Sequence, residues 1–233
     1  MSITQQYADV AAEVERVCLE NGRNPEEVRL VAVSKTVDAD RVQDAIDGGA
    51  VDFGENRPEQ IMEKQARYPR ARWHFIGNIQ SRRIKDIVPC AHLIHSVFKE
   101  DHMRKISAAA ESIGKVQDIL IEVNVSGELS KGGIEPDQLR DMLRASADLP
   151  GVRVCGLMTM APQGDMRVAE HTFEGLRKLR DELAQAYPQA SLQVLSMGMS
   201  EDFEAGIRQG ATIVRLGRVA FDPTFSIEER LHI

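Results

Sequence analysis

Cysteine is scarce in this chain: three residues, Cys18, Cys90 and Cys155, stand in a sequence of 233. An odd number at such wide spacing excludes a disulfide framework and a cysteine zinc site, and suits free thiols in a reducing compartment. Aromatic residues are also few, 5% with a single Trp, so no platform for stacking bases or sugars is visible. Positive charge is in deficit. Lys and Arg number 29 against 36 Asp and Glu, a net charge of −7, the opposite of the basic face that a nucleic-acid backbone requires. The local cluster Arg82-Arg83-Ile84-Lys85 reads as a solvated helix face. No apolar run approaches the roughly 20 residues of a spanning helix. The opening Met1-Ser2-Ile3-Thr4-Gln5-Gln6 has neither the basic nor the apolar part of a secretory signal. The expectations are a cytoplasmic protein with no nucleic-acid partner, no membrane association and no metal.

What is present is the material of a well-packed α/β protein. Hydrophobic residues make up 42% and charged ones 28%, enough to bury a core. No linker, repeat or low-complexity run divides the chain, so one domain over 1–233 is expected. Tyr7, Val10, Ala11, Val14, Val17 and Cys18 form one stripe of an opening helix that stops at Gly22. Strand-like runs follow at 28–34, 51–54, 73–76, 93–97, 119–125, 152–158, 192–196 and 212–216. Helical stretches such as 39–46 and 168–187 lie between them, the latter placing Phe173, Leu176, Leu179, Leu183 and Tyr187 on one face. The runs Leu30-Val31-Ala32-Val33 and Ile119-Leu120-Ile121 are continuously apolar, as in strands covered on both faces. Eight βα units at this length predict a single (β/α)8 TIM barrel with an extra N-terminal helix. An open doubly wound sheet normally uses fewer strands.

In such a barrel the chemistry sits at the C-terminal ends of the strands. Lys35 follows the first strand and alternates with Val31 and Val33. Facing the barrel mouth it would be a desolvated amine able to attack an aldehyde; otherwise it snorkels to solvent. Arg215 lies on the last strand, which barrel closure sets about 4.8 Å from the first. Two cations crowded there call for an anion between them, or for a carboxylate partner such as Glu55. Ser196-Met197-Gly198-Met199-Ser200 leaves strand seven, with Ser200 reading as the N-cap of the next helix. Gly217-Arg218-Val219-Ala220 leaves strand eight. Loops seven and eight are where barrels commonly hold phosphate. His74 faces either the site or the core, and Asn56 either bonds a ligand or shapes its turn. The glycine-rich loop 126–133 lacks the spacing of a Walker loop.

These residues, in this order, resemble the pyridoxal 5′-phosphate homeostasis protein family, a relative of the barrel domain of alanine racemase. The likeness rests on LVAVSKT (30–36), FGEN (53–56), WHFIGNIQS (73–81), EVNVSGELSKGG (122–133), GLM (156–158), LSMGMS (195–200) and RLGRVAF (215–221), nearly the whole chain. The resemblance implies a barrel that binds pyridoxal phosphate (PLP) without established turnover and acts in vitamin B6 and amino-acid homeostasis. It implies Lys35 as the aldimine lysine and Ser196, Met199, Ser200, Gly217 and Arg218 as the phosphate set. Arg215 would meet the pyridine nitrogen, and Asn56 and His74 would neighbour the ring. A monomer is implied, with PLP-dependent apoenzymes as candidate recipients of the cofactor. After Phe221 a Gly usually follows; here Asp222-Pro223 stands.

The alternative is an amino-acid racemase of the alanine racemase type, which would need a second domain carrying a catalytic tyrosine. Tyr7, Tyr68 and Tyr187 fall at no predicted strand end. A class I aldolase would need an acid–base pair beside the amine, and no matched carboxylates stand at neighbouring strand tops.

Overall fold

The computed structural model describes residues 2–128, 131–187, 190–222 and 224. Eight parallel strands close into one barrel in sequence order: β1 Arg29–Val33, β2 Asp52–Glu55, β3 Arg72–Phe75, β4 Leu93–Val97, β5 Gln117–Glu122, β6 Val152–Met158, β7 Val194–Ser196 and β8 Ile213–Leu216. Closure is made by β1 on β8, with Val31 opposite Arg215 and Ala32 opposite Leu216. The helices are α1 Ile3–Glu20, α2 Ala39–Asp47, α3 Pro58–Arg67, α4 Ile84–Ile87, α5 Glu100–Glu111, α6 Leu139–Ser146, α7 Met166–Ala186, α8 Phe203–Arg208 and α9 Arg218–Phe221. The barrel and its extra N-terminal helix are those the sequence predicts.

Local chemistry sets the helix starts. Ser2 accepts from the Gln5 N–H at α1 and Asp38 from the Arg41 N–H at α2, each satisfying a donor the first turn leaves open. Strand alternation divides the core in two. Val31, Leu93, Leu120, Met158 and Ile213 form a small apolar layer inside the barrel. A much larger layer, including Ala32, Phe53, Phe75, Ile119, Leu157 and Val214, fills the space between sheet and helices. The stripe of α1 and the face of α7 both belong to that outer layer.

Several boundaries shift by a residue or more from the sequence expectation, two of them with a clear local cause. Strand five stops at Glu122 rather than 125, because the loop that follows captures its continuation: the Asn124 N–H donates to the Ile134 carbonyl at 2.8 Å. Asn124 Oδ1 then accepts from Ser126 Oγ and the Gly127 N–H. Helix α8 starts at Phe203 with Asp202 before it, not at Ser200, whose hydroxyl is engaged elsewhere. The basic cluster at 82–85 lies on and before α4, with Arg83 paired to Asp86 at 2.6 Å and to Glu59. Pro188 and Pro223 lie outside the described residues. Among the described residues no helix is long and apolar enough to cross a membrane, and no cluster of metal-ligating side chains occurs.

Candidate functional site

A cavity of about 380 Å³ opens at the C-terminal mouth of the barrel, within the size range of small-molecule sites. Lys35 and Val33 line it from β1 and its exit, and Asn56, Ile76, Gly77 and Asn78 from the loops after β2 and β3. Met158 and Met160 come from β6 and its exit, Met199, Ser200 and Glu201 from the β7 loop, and Arg215, Gly217 and Arg218 from β8. Seven of the nine expected site residues therefore converge: Lys35, Asn56, Met199, Ser200, Arg215, Gly217 and Arg218.

Two do not reach the cavity. His74 is wholly buried inside the barrel, one ring nitrogen 2.8 Å from Asp52 Oδ1 and the other 2.8 Å from His95 Nε2. It is the core histidine of the two readings left open by the sequence. Ser196 is likewise buried, its hydroxyl 2.9 Å from His95 Nδ1 and accepting from Arg215 at 2.6 Å. Strand alternation turns both side chains into the barrel, a level below the mouth, where other side chains satisfy them.

Lys35 stands differently from the expectation of a desolvated amine. Strand β1 ends at Val33, so Lys35 is past the wall of the barrel and its side chain is exposed. Its backbone is fixed all the same. Gln60 Nε2 donates to the Lys35 carbonyl, and the buried Lys64 Nζ donates to the Ser34 carbonyl at 2.8 Å. Nor are Lys35 and Arg215 packed side by side. Arg215 is level with Val31, two residues before β1 ends at Val33, whereas Lys35 lies in the turn beyond that end. The two cations line opposite depths of one cavity.

Arg215 is 4% exposed and has no carboxylate within ion-pair distance among the described residues; Glu55 pairs with Lys64 at 2.6 Å instead. Its guanidinium donates to Ser196 Oγ at 2.6 Å and to the Thr159 carbonyl at 3.1 Å, leaving three of its five N–H donors without an acceptor among the described residues. Burial lowers its pKa to about 10, against the pull of Asp202 and Glu122. It remains a cation. Glu122, at the end of β5, alternates with the interior Leu120 and is 4% exposed. Burial raises its carboxyl to about 7, opposed by Arg215.

The β7 and β8 loops meet through Ser200 Oγ, which accepts the Gly217 N–H at 3.3 Å. Asp202 Oδ1 accepts the Met199 N–H at 2.6 Å. Gly198 has φ +97, and a Cβ there would lie 2.9 Å from Phe203 Cα, so this turn needs glycine. Arg218 pairs with Glu201 at the rim.

Sequence reasoning missed the interior polar residues Asp52, His95 and Glu122. The signal was present: each is a polar residue inside a mostly apolar strand run, and strands covered on both faces leave such a side chain nowhere to go but the core.

The fold and the site together define a (β/α)8 barrel with a cationic small-molecule cavity at its C-terminal mouth, bearing an amine at the rim and an unneutralised guanidinium below. The family model for the alanine racemase N-terminal domain matches residues 17–222. The pyridoxal phosphate homeostasis protein of Aquifex aeolicus is 37% identical over 95% of this chain and 98% of its own length. The solved structure of PipY from Synechococcus elongatus PCC7942 with PLP bound is 32% identical, with a TM-score of 0.80 over 89% of this chain and 99% of that one. A solved protein of unknown function from Bifidobacterium adolescentis is 33% identical, with a TM-score of 0.87 over 94% of each chain. The chain belongs to the alanine racemase N-terminal domain family and, within it, to the pyridoxal phosphate homeostasis proteins.

Proposed function

We propose that this protein binds pyridoxal phosphate at the C-terminal mouth of the barrel and serves cellular PLP and amino-acid homeostasis as a carrier rather than as an enzyme. PLP brings an aldehyde that condenses with a primary amine with loss of water, a phosphate, and a pyridine nitrogen. The residues of the cavity fit each part. Lys35 is the cavity's one lysine. Ser200, Gly217 and Arg218 gather hydroxyl, backbone and guanidinium donors on the two loops that barrels use for phosphate. Arg215 offers donors without acceptors in the wall. A guanidinium only donates and stays charged, so it suits an unprotonated ring nitrogen and does not supply a proton to it. Met199 and Asn56 flank the same space.

The observation that carries this reading is the unneutralised, buried Arg215 in a cavity that also holds Lys35. The carrier reading is supported by the cavity lining, from which Tyr7, Tyr68 and Tyr187 all lie away, so that none of them is placed as a second base for racemisation. The racemase alternative gains no support from this geometry. The protein is proposed to act as a monomer that passes PLP to apoenzymes.

The test is direct. Wild-type protein mixed with PLP develops a visible absorbance band, and borohydride followed by peptide mapping places the reduced pyridoxyl group on the peptide containing Lys35. Lys35→Ala loses the band while keeping its circular dichroism spectrum and urea midpoint. Label on another lysine, or an unchanged band in Lys35→Ala, refutes the attachment. Rapid α-deuterium exchange and racemisation of alanine by the wild-type protein would refute the carrier reading.

A further inference from the structure

A single file of hydrogen bonds crosses the barrel interior from one mouth to the other. Asp52 Oδ1 is 2.8 Å from His74 Nε2, His74 Nδ1 is 2.8 Å from His95 Nε2, His95 Nδ1 is 2.9 Å from Ser196 Oγ, and Arg215 donates to Ser196 Oγ at 2.6 Å. The members come from β2, β3, β4, β7 and β8, so the file bridges both sides of the barrel. Only Arg215 reaches the cavity at the C-terminal mouth. Asp52 lies at the other end, where Arg72 donates to Oδ2 at 2.6 Å and Arg29 stands at 3.8 Å.

With both rings neutral, as burial favours, the carboxylate end sets the proton positions. A carboxylate only accepts, so His74 carries its proton on Nε2 and presents a bare Nδ1. His95 then donates from Nε2 and presents its own bare Nδ1, to which the Ser196 hydroxyl donates. The Ser196 oxygen is left to accept from Arg215, which only donates. Arg215, which only donates, is compatible with that polarity. A proton on His95 Nδ1 would make the Ser196 oxygen accept twice, but burial disfavours the charged form of both rings. Ser196 consequently has no proton left for a phosphate.

This arrangement solves a specific difficulty. A buried guanidinium is usually held by a carboxylate, which would cancel its charge. Here Asp202 and Glu122 act on Arg215 only from beyond ion-pair distance. The carboxylate of the file, Asp52, sits at the far mouth, compensated by Arg72 and Arg29, and relays only its acceptor polarity. We propose that Asp52, His74, His95 and Ser196 are positioning residues that orient Arg215 toward the bound ligand while leaving its charge unneutralised. The proposal rests on the PLP-binding reading above.

Nitrogen-15 NMR of the histidines in the protein without added PLP should report both His74 and His95 as neutral, with protons on Nε2; the opposite tautomer in either would overturn the file. His95→Leu cuts the file, whereas His95→Gln can still accept from Ser196 and donate to His74. We expect His95→Leu to raise the Kd for PLP about tenfold and to move the pH midpoint of the visible band, and His95→Gln to recover most of both. Ser196→Ala, which removes one oxygen and opens little space, should match His95→Leu and serves if that variant fails to fold. Asp52→Leu should shift both readings in the same direction from the far mouth. A purely structural role predicts a lower Tm with wild-type Kd and pH midpoint in the folded variants, and that result would overturn the inference alone. A wild-type protein that binds no PLP would overturn the PLP reading as well.

Discussion

At the residue scale, two side chains carry sharp expectations. Glu122 is buried, and its carboxyl rises from 4.5 to about 7. Between those pH values the unfolded chain has released the proton that the folded chain keeps. Stability therefore falls as pH rises through the window, by roughly 3 kcal/mol if the whole shift is expressed. His74 and His95 act in the opposite sense. Burial lowers them below 6.5, so their contribution is present above that value and is lost as pH falls. Comparing Glu122→Gln with wild type isolates the carboxyl: urea unfolding should give matching stabilities near pH 4.5 and a variant more stable by a few kcal/mol at pH 8. A constant difference would show that Glu122 ionises freely in the fold. Ser200 is the second case. Its hydroxyl accepts the Gly217 N–H and keeps its own proton for a ligand. Ser200→Ala should lose one charge-assisted hydrogen bond, about 1.5–3 kcal/mol, and so speed PLP dissociation about tenfold or more. An unchanged rate would put the phosphate elsewhere.

At the scale of elements, the exit of β1 is held from α3. Lys64, 3% exposed, donates to Glu55 Oε1 at 2.6 Å and to the Ser34 carbonyl, while Ser34 Oγ donates to the same Glu55 oxygen at 2.6 Å. Gln60, one turn earlier on α3, holds the Lys35 carbonyl. The amine at the rim is thus exposed at its tip and fixed at its root. Breaking such a buried pair leaves a stranded charge, so Lys64→Met should cost about 3–5 kcal/mol. The double variant Lys64→Met with Glu55→Leu should recover part of that loss, and denaturant midpoints of the three proteins check it. Strictly additive losses would show that the two charges do not depend on each other.

At the scale of the whole molecule, one closed sheet supplies two environments. Between barrel and helices the packing is apolar; inside, a small apolar layer sits among a polar file and the cavity. Helix α1 is tied to α9: Gln6 Nε2 donates to the carbonyls of Val219 and Asp222. That contact fixes the segment after β8, including Gly217 and Arg218 at the cavity.

The sequence by itself determined the barrel, because eight short strand-like runs alternate with helical stripes, and two of those runs are continuously apolar as in strands covered on both faces. It determined most of the site too, since the fold sends whatever follows each strand to the same mouth. Lys35, Asn56, Ser200, Arg215 and Gly217 needed no coordinates to be placed there. Tertiary structure alone decided depth and partner. Whether Arg215 stands beside Lys35 or below it depends on the shear of the closed sheet, which no single strand encodes. Whether His74 meets a ligand or another histidine depends on the register of β3 against its neighbour β4 in the closed sheet. Asp52 and Ser196 are 144 residues apart in the chain (196 − 52) and join through two imidazoles only because closure brings β2 and β7 around one interior. Local pattern fixes which way a side chain points; only the closed barrel fixes what it meets.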